Sequence, residues 1–390
     1  MKLICDRAAL QEAVTLAAGV VVARTPRPQL TCIKLTSKKT GKGGAGSITL
    51  AATDAEISLR LSRSDVEVQE EGDALVPADK LRSIVGALDD QPTLTLRTDG
   101  DVFAIEAPGA HFKVYGMPPA DFPPVAEFPA QGAHRFAIDA DTFAQLIQRT
   151  IFSTARDNSR YAINGVLLKR HGKKIEMVAT DGRRLALARG TCEPLTSGDD
   201  ATHSCIIPTK ALNMVSRLMT GAVTRVRIGV TDNQVFFAFD TEKDAPATGG
   251  TLLSSNLLEG TFPPYEEVIP KDQDKKATFD VQVLSGAVRR AALLTNEESR
   301  GVKMSFSSGK GPRLKVKSSA PEAGEAEIEV DIKNYDGGDI DISFNPAFIT
   351  DALKVVDGES VLVELKAPNK PGLIRSGTDF VYVVMPVNLT

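Results

Sequence analysis

The sequence predicts an α+β chain built from three repeated units, each with two helices packed on antiparallel sheets. Three observations lead there. An amphipathic helix pattern recurs near the start of each third, a second helix opens on proline in each third, and alternating strand pairs follow. A period of well over a hundred residues marks repeated domains rather than the stacked motifs of a solenoid.

The first helix reads DRAALQEAVTLAAGVV (6–21), DADTFAQLIQRTIFST (139–154) and DVQVLSGAVRRAALLT (280–295). Each follows a short strand-like stretch and places apolar residues at about i, i+3, i+4 and i+7, one face of a helix. The second helix reads VPADKLRSIVGAL (76–88), IPTKALNMVSRLM (207–219) and FNPAFITDALKVV (344–356). Proline stands at each opening, at Pro77, Pro208 and Pro346, where a missing N–H costs the helix nothing. Strand pairs follow, with TDGD (98–101) and TDNQ (231–234) as hairpin turns.

Between the two helices, SITLAATDAEISLRL (47–61) matches KIEMVATDGRRLALA (174–188) down to a shared Ala-Thr-Asp; the third copy, RLKVKSSAPEAGEAEIEV (313–330), keeps the hairpin rhythm without the turn. Thr180-Asp181-Gly182 reads as a tight turn, Asp bonding its own backbone and Gly supplying positive φ. The Pro-rich segments 113–125 and 258–270 suit linkers. Domains are expected at 1–129, 130–270 and 271–390, each with two helices and about eight strands. Helices on one face of an antiparallel sheet form a stable two-layer unit.

Composition narrows the function. The chain has 390 residues, 42% hydrophobic and 25% charged, as in ordinary globular proteins. No apolar run approaches the roughly 20 residues of a membrane span. The opening MKLICDRAAL lacks the features of a secretory signal, so no membrane partner and a cytoplasmic location are expected. Cys5, Cys32, Cys192 and Cys205 form no CxxC pair, and the four histidines are scattered, so neither a metal nor another cofactor is expected. GKGGAGS (41–47) lacks the order of a phosphate loop, and no GxSxG, HExxH or paired-carboxylate constellation stands out. A non-catalytic protein is expected.

The net charge of −4 is unlike that of a tight nucleic-acid binder. Basic residues nevertheless recur on or beside the helices, among them Arg7, Arg82, Arg149, Arg217, Arg289, Arg290 and Lys354, while 66–73 and 322–331 are acidic. Similar domains on short linkers repeat one head-to-tail contact, which gives a ring if the rotation closes. Two chains would supply six domains around a mildly positive lumen, holding duplex DNA by weak, sequence-independent contact.

The residues RYAINGVLLKRHGKKIEMVATDGRRLALA (160–188), LLEGTFPPYEEVIPK (257–271), LTNEESRGVKM (294–304) and YVVMPVNL (382–389) carry a resemblance. Along nearly its whole length the chain resembles the bacterial DNA sliding clamps, the beta subunits of DNA polymerase III. The resemblance implies the DNA-clamp fold, a head-to-tail homodimeric ring around double-stranded DNA, and a role as polymerase processivity factor. It implies as partners the catalytic subunit of DNA polymerase III, a clamp loader, and other polymerases and repair proteins with clamp-binding peptides. The peptide pocket it implies comprises Ile163, Thr180, Gly182, Arg183, Arg184, Leu185, Pro263, Val268, Val383, Met385, Pro386 and Val387, with the two arginines on its rim. The implied DNA-facing residues are Arg24, Arg160, Tyr161 and Lys210. The implied dimer seam sets Phe112 and Val114 against Leu293 and Leu294 of a second copy. Glu267 and Asn388 depart from the family's pocket pattern, and Asp79 and Ala162 from its DNA-facing pattern.

The alternative is a clamp-like peptide-binding scaffold, or a DNA-binding regulator, that does not encircle DNA. A regulator would prefer particular sequences and bind short linear duplex tightly; a clamp would do neither.

Overall fold

The computed structural model describes residues 1–41, 44–130, 133–156, 161–195, 202–220, 222–241, 250–295, 301–309, 311–321 and 323–389. The six expected helices are all present: α1 (Arg7–Ala18), α2 (Ala78–Ala87), α3 (Ala140–Thr150), α4 (Thr209–Leu218), then, after a single turn α5 (Tyr265–Val268), α6 (Val281–Ala291) and α7 (Pro346–Leu353). Their faces follow the sequence pattern. In α1 the buried residues are Leu10, Ala13, Val14 and Ala17, and in α6 they include Leu284, Ala287, Val288 and Ala291. Both sets are spaced i, i+3, i+4, i+7, the stripe a helix presents to a sheet.

Their starts are chemically explicit. Asp6 accepts from the Ala9 amide at 2.7 Å, and Asp280 accepts from the amides of Gln282 and Val283. Such caps contribute about 1 kcal/mol each. Pro77 precedes α2, Pro208 ends the strand before α4, and Pro346 is the first residue of α7.

The chain folds into two compact units that do not coincide with the three sequence repeats. The first contains Met1–Asp141, Cys192–Asp199 and Lys210–Leu257; the second contains Thr142–Thr191, Asp200–Thr209 and Leu258–Thr390. The reason lies in strand pairing. In the first unit, Thr251–Asn256 of the second repeat pairs antiparallel with Ile57–Glu70 of the first repeat, with Ser255 opposite Ile57. In the second unit, Arg184–Thr191 of the second repeat pairs with Phe380–Val384 of the third, with Leu185 opposite Val383. Each junction is thus one continuous sheet, whose hydrogen bonds cross the repeat boundary.

In the first unit α1 and α2 pack together over a 13-stranded sheet with the strand Ala110–Tyr115 at one edge. In the second unit α6 and α7 pack together, and a core with Phe279, Phe306, Phe344 and Phe380 fully buried joins a nine-stranded sheet to a four-stranded one. The strand Gly324–Asp331 forms an edge of the four-stranded sheet.

Candidate peptide-binding site

The shared Ala-Thr-Asp builds the same turn twice. The Thr53 hydroxyl donates to the Ile57 carbonyl at 2.9 Å and the Thr180 hydroxyl to the Arg184 carbonyl at 2.7 Å. Asp54 accepts from the amides of Glu56 and Ile57, as Asp181 does from those of Arg183 and Arg184. The residue after each Asp has positive φ: 77° at Ala55 and 85° at Gly182. Beside each turn the last strand of the following repeat is pinned alike, the Asn256 amide donating to the Glu56 carbonyl and the Met385 amide to the Arg183 carbonyl, both at 2.9 Å.

Only the second of these frames is apolar. It borders a cavity of about 490 Å³ in the second unit. The turn and strand start contribute Thr180, Gly182, Arg183, Arg184 and Leu185, and beside them the paired strand contributes Val383, followed by Met385. Ala162 and Ile163, from the short helical turn Tyr161–Ile163, and Thr261, Pro263, Tyr265 and Val268 complete the lining. In the first unit the residues paired like Leu185 and Val383 are Ser58 and Ser254, and Asn256 takes the place of Met385. Hydroxyls and an amide there replace the branched and thioether side chains that suit an apolar ligand.

The structure gathers ten of the twelve residues expected of the pocket around this cavity. Pro386 and Val387 lie outside it, because the chain leaves the wall after Met385 and the Val387 amide donates to the Ser343 carbonyl at 2.9 Å. Sequence reasoning missed Thr261, Ala162 (expected in the DNA-facing pattern) and Tyr265, the last of which is 4% exposed. Its hydroxyl donates to Glu176 at 3.1 Å, its ring lies under the Lys169 ammonium, and Lys169 also pairs with Glu266. Burial, and then the charges of Glu176 and Glu266, push the phenol well above its ordinary value, so it stays a neutral donor. These contacts fasten 261–268 to the sheet. The Pro-rich pattern reads as linker and hides them.

The two arginines are not a pair of rim donors. Arg184 is 9% exposed and donates to Asp181, to Asp351 on α7 and to the Phe152 carbonyl, at 3.0, 2.9 and 2.7 Å. The rings of Phe152 and Phe348 lie 5.5 and 4.5 Å from its guanidinium. Burial alone would lower its pKa; the bond to Asp351, with Tyr382 and Asp181 nearby, raises it above the ordinary value. Its fork is already engaged, so Arg183, which is exposed, is the arginine available to a ligand. The first unit has Ile57 in this position and a cleft of about 320 Å³ beside it, edged by Lys210 and Arg217.

Of the DNA-facing set, Arg24 is exposed in the segment after α1. Lys210, at the start of α4, bonds Asp54, so part of its charge is already balanced. Arg160 lies outside the described residues, as does the side chain of Tyr161. At the expected seam, Leu293 is 79% exposed and Leu294 half-buried. Strand alternation turns Val114 into the core of its own sheet and leaves Phe112 half-buried, while Tyr115 stands 82% exposed. Among the described residues no three His, Cys, Asp or Glu side chains converge as a metal site, and no helix is long and apolar enough to cross a membrane.

Models of the three domains of the DNA polymerase III beta subunit match in order: the N-terminal domain over 1–126, the central domain over 137–264 and the C-terminal domain over 266–388. The chain belongs to the beta sliding clamp family. It is 33% identical to the beta sliding clamp of Pseudomonas aeruginosa over 98% of this chain and 99% of that one. It is 30% identical to that of Escherichia coli K12 over 88% and 89%. The crystal structure of the P. aeruginosa beta subunit superposes with a TM-score of 0.86 at 32% identity, and the sliding clamp of Bacillus subtilis with 0.88 at 25%, each covering both chains fully. A P. aeruginosa clamp has also been solved bound to griselimycin, at a TM-score of 0.86. The three-domain clamp fold and the role of DNA polymerase processivity factor follow from this membership.

Proposed function

We propose that two copies of this chain close head to tail around duplex DNA, and that the cavity bordered by Leu185 and Met385 receives a short apolar peptide from each partner. The partners are the catalytic subunit of DNA polymerase III, a clamp loader, and other polymerases and repair proteins that carry such a peptide. The observation that carries this reading is the convergence of Leu185, Val383, Met385 and Val268 on one cavity within a chain of this family. Apolar anchors buried in such a slot supply most of a peptide's binding energy, and flexible Met side chains let one slot fit several ligands.

The seam joins the edge strand Ala110–Tyr115 of one copy to the edge strand Gly324–Asp331 of the other. Lys113 is exposed on the first edge and Glu325 on the second, where Glu327, Glu329 and Asp331 already pair with Arg313, Lys315 or Lys317 of the neighbouring strand. Exposed Tyr115 and Leu293 become covered there. With a net charge of −4, grip on DNA comes from closure and from a few contacts by residues such as Arg24, Lys210, Arg160 and Tyr161. The chain acts in the cytoplasm and catalyses nothing itself.

Fluorescence anisotropy with a labelled Gln-Ala-Ser-Leu-Phe peptide tests the pocket. Leu185→Ala combined with Met385→Ala should weaken binding at least tenfold, and unchanged affinity would sink the assignment.

A further inference from the structure

The wall that carries Met385 is held by what comes after it. The Met385 amide is tied to the Arg183 carbonyl and the Val387 amide to the Ser343 carbonyl, each at 2.9 Å. Only Pro386 lies between, with its φ fixed by the ring, so a displacement at Val387 carries directly to Met385. Beyond it, Leu389 and Val387 lie against Gly301, which immediately precedes the strand Val302–Ser307. That strand pairs with Ile340–Phe344, setting Lys303 opposite the same Ser343. A Cβ at 301 would overlap Leu389 Cδ2 and come within 2.9 Å of Val387 Cγ2. Carbon atoms pack no closer than about 3.5 Å without repulsion. Both atoms in the way belong to side chains, those of Leu389 and Val387, and glycine at 301 leaves them room.

We infer that Gly301 is a positioning residue of the peptide pocket: its missing side chain lets residues 387–389 lie flat across the strand ends, and this strap sets Met385 against the cavity. The inference rests on the reading of the cavity as the peptide site. A side chain at 301 lifts the strap, strains the Val387–Ser343 bond and draws Met385 off the wall, without touching any residue that lines the pocket.

The test uses the full-length chain, the labelled Gln-Ala-Ser-Leu-Phe peptide and amide hydrogen exchange at Val387. Gly301→Ala should weaken the peptide about fivefold and speed exchange at Val387. Adding Val387→Ala and Leu389→Ala removes the two atoms in the way and should restore affinity to within twofold of the chain carrying those two changes alone. Unchanged affinity in Gly301→Ala, or a loss that the added changes do not rescue, overturns the inference. Leu185→Ala with Met385→Ala serves as control. If that pair leaves affinity intact, the peptide-site reading has failed; if it weakens binding while Gly301→Ala does not, only the strap has failed.

Discussion

Arg184, at the start of a strand in the second repeat, donates to Asp351 on α7 of the third repeat at 2.9 Å, across a separation of 167 residues. With Asp181 on its Nε and two aromatic rings against its guanidinium, Arg184 fastens the second-repeat strand to the third-repeat helix. Removing one member of a buried, hydrogen-bonded charge pair is costly because the other is left without its partner. Arg184→Ala should lower stability by roughly 2–4 kcal/mol. Asp351→Asn should cost less, about 1 kcal/mol, because Asp351 is partly exposed and Asp181 remains. Denaturant unfolding of the two variants checks the order.

At the seam, the double change Leu293→Asp with Leu294→Asp should give a monomer, since an unpaired charge is expensive to bury. Analytical ultracentrifugation reads the outcome, and a persistent dimer would mean the seam lies elsewhere. Val114→Asp is the wrong probe: Val114 is buried in its own sheet, so that change should unfold the first unit rather than separate two copies.

Gly182 and Ala55 occupy the same place in the two Ala-Thr-Asp turns, both with positive φ. A side chain in that region costs roughly 1–2 kcal/mol. Gly182→Ala should therefore fold, as the Ala55 turn does, with a stability loss near 1 kcal/mol and an unchanged denaturant slope.

Asp274 lies between Lys275 and Lys366, whose hydrogen bonds hold its pKa at about 2 against an ordinary 3.8. A depressed carboxylate contributes stability above its unfolded value that is lost as pH falls through the folded one. The difference between this chain and Asp274→Asn should be constant above about pH 5 and vanish near pH 1. The group is fully exposed, so solvent screening keeps the effect small.

The helices and repeats were legible because their signals are local: apolar stripes such as Leu10–Ala13–Val14–Ala17, prolines at helix starts, and a turn written as Ala-Thr-Asp. What was not legible depends on pairing at a distance. Nothing near Arg184 announces Asp351, so its type and position suggested a free rim donor. Nothing near Ile57 announces that its strand pairs with Thr251–Asn256, so the sheet that crosses from the first repeat to the second was not legible. Tyr265 sits in a Pro-rich stretch that looks like linker, and its burial depends on Glu176 and Lys169 in other strands. Most pocket residues came from family resemblance, since Leu185 or Val383 alone reads as core.

The most direct measurement of encirclement is retention on DNA of different topology. The protein is placed on a nicked circular duplex by a clamp loader with ATP, isolated by gel filtration, and the circle is then cut once. A topological tether stays on the circle at high salt and slides off within minutes of cutting. Equal retention on circular and linear duplex, or salt-sensitive loss from both, would contradict it.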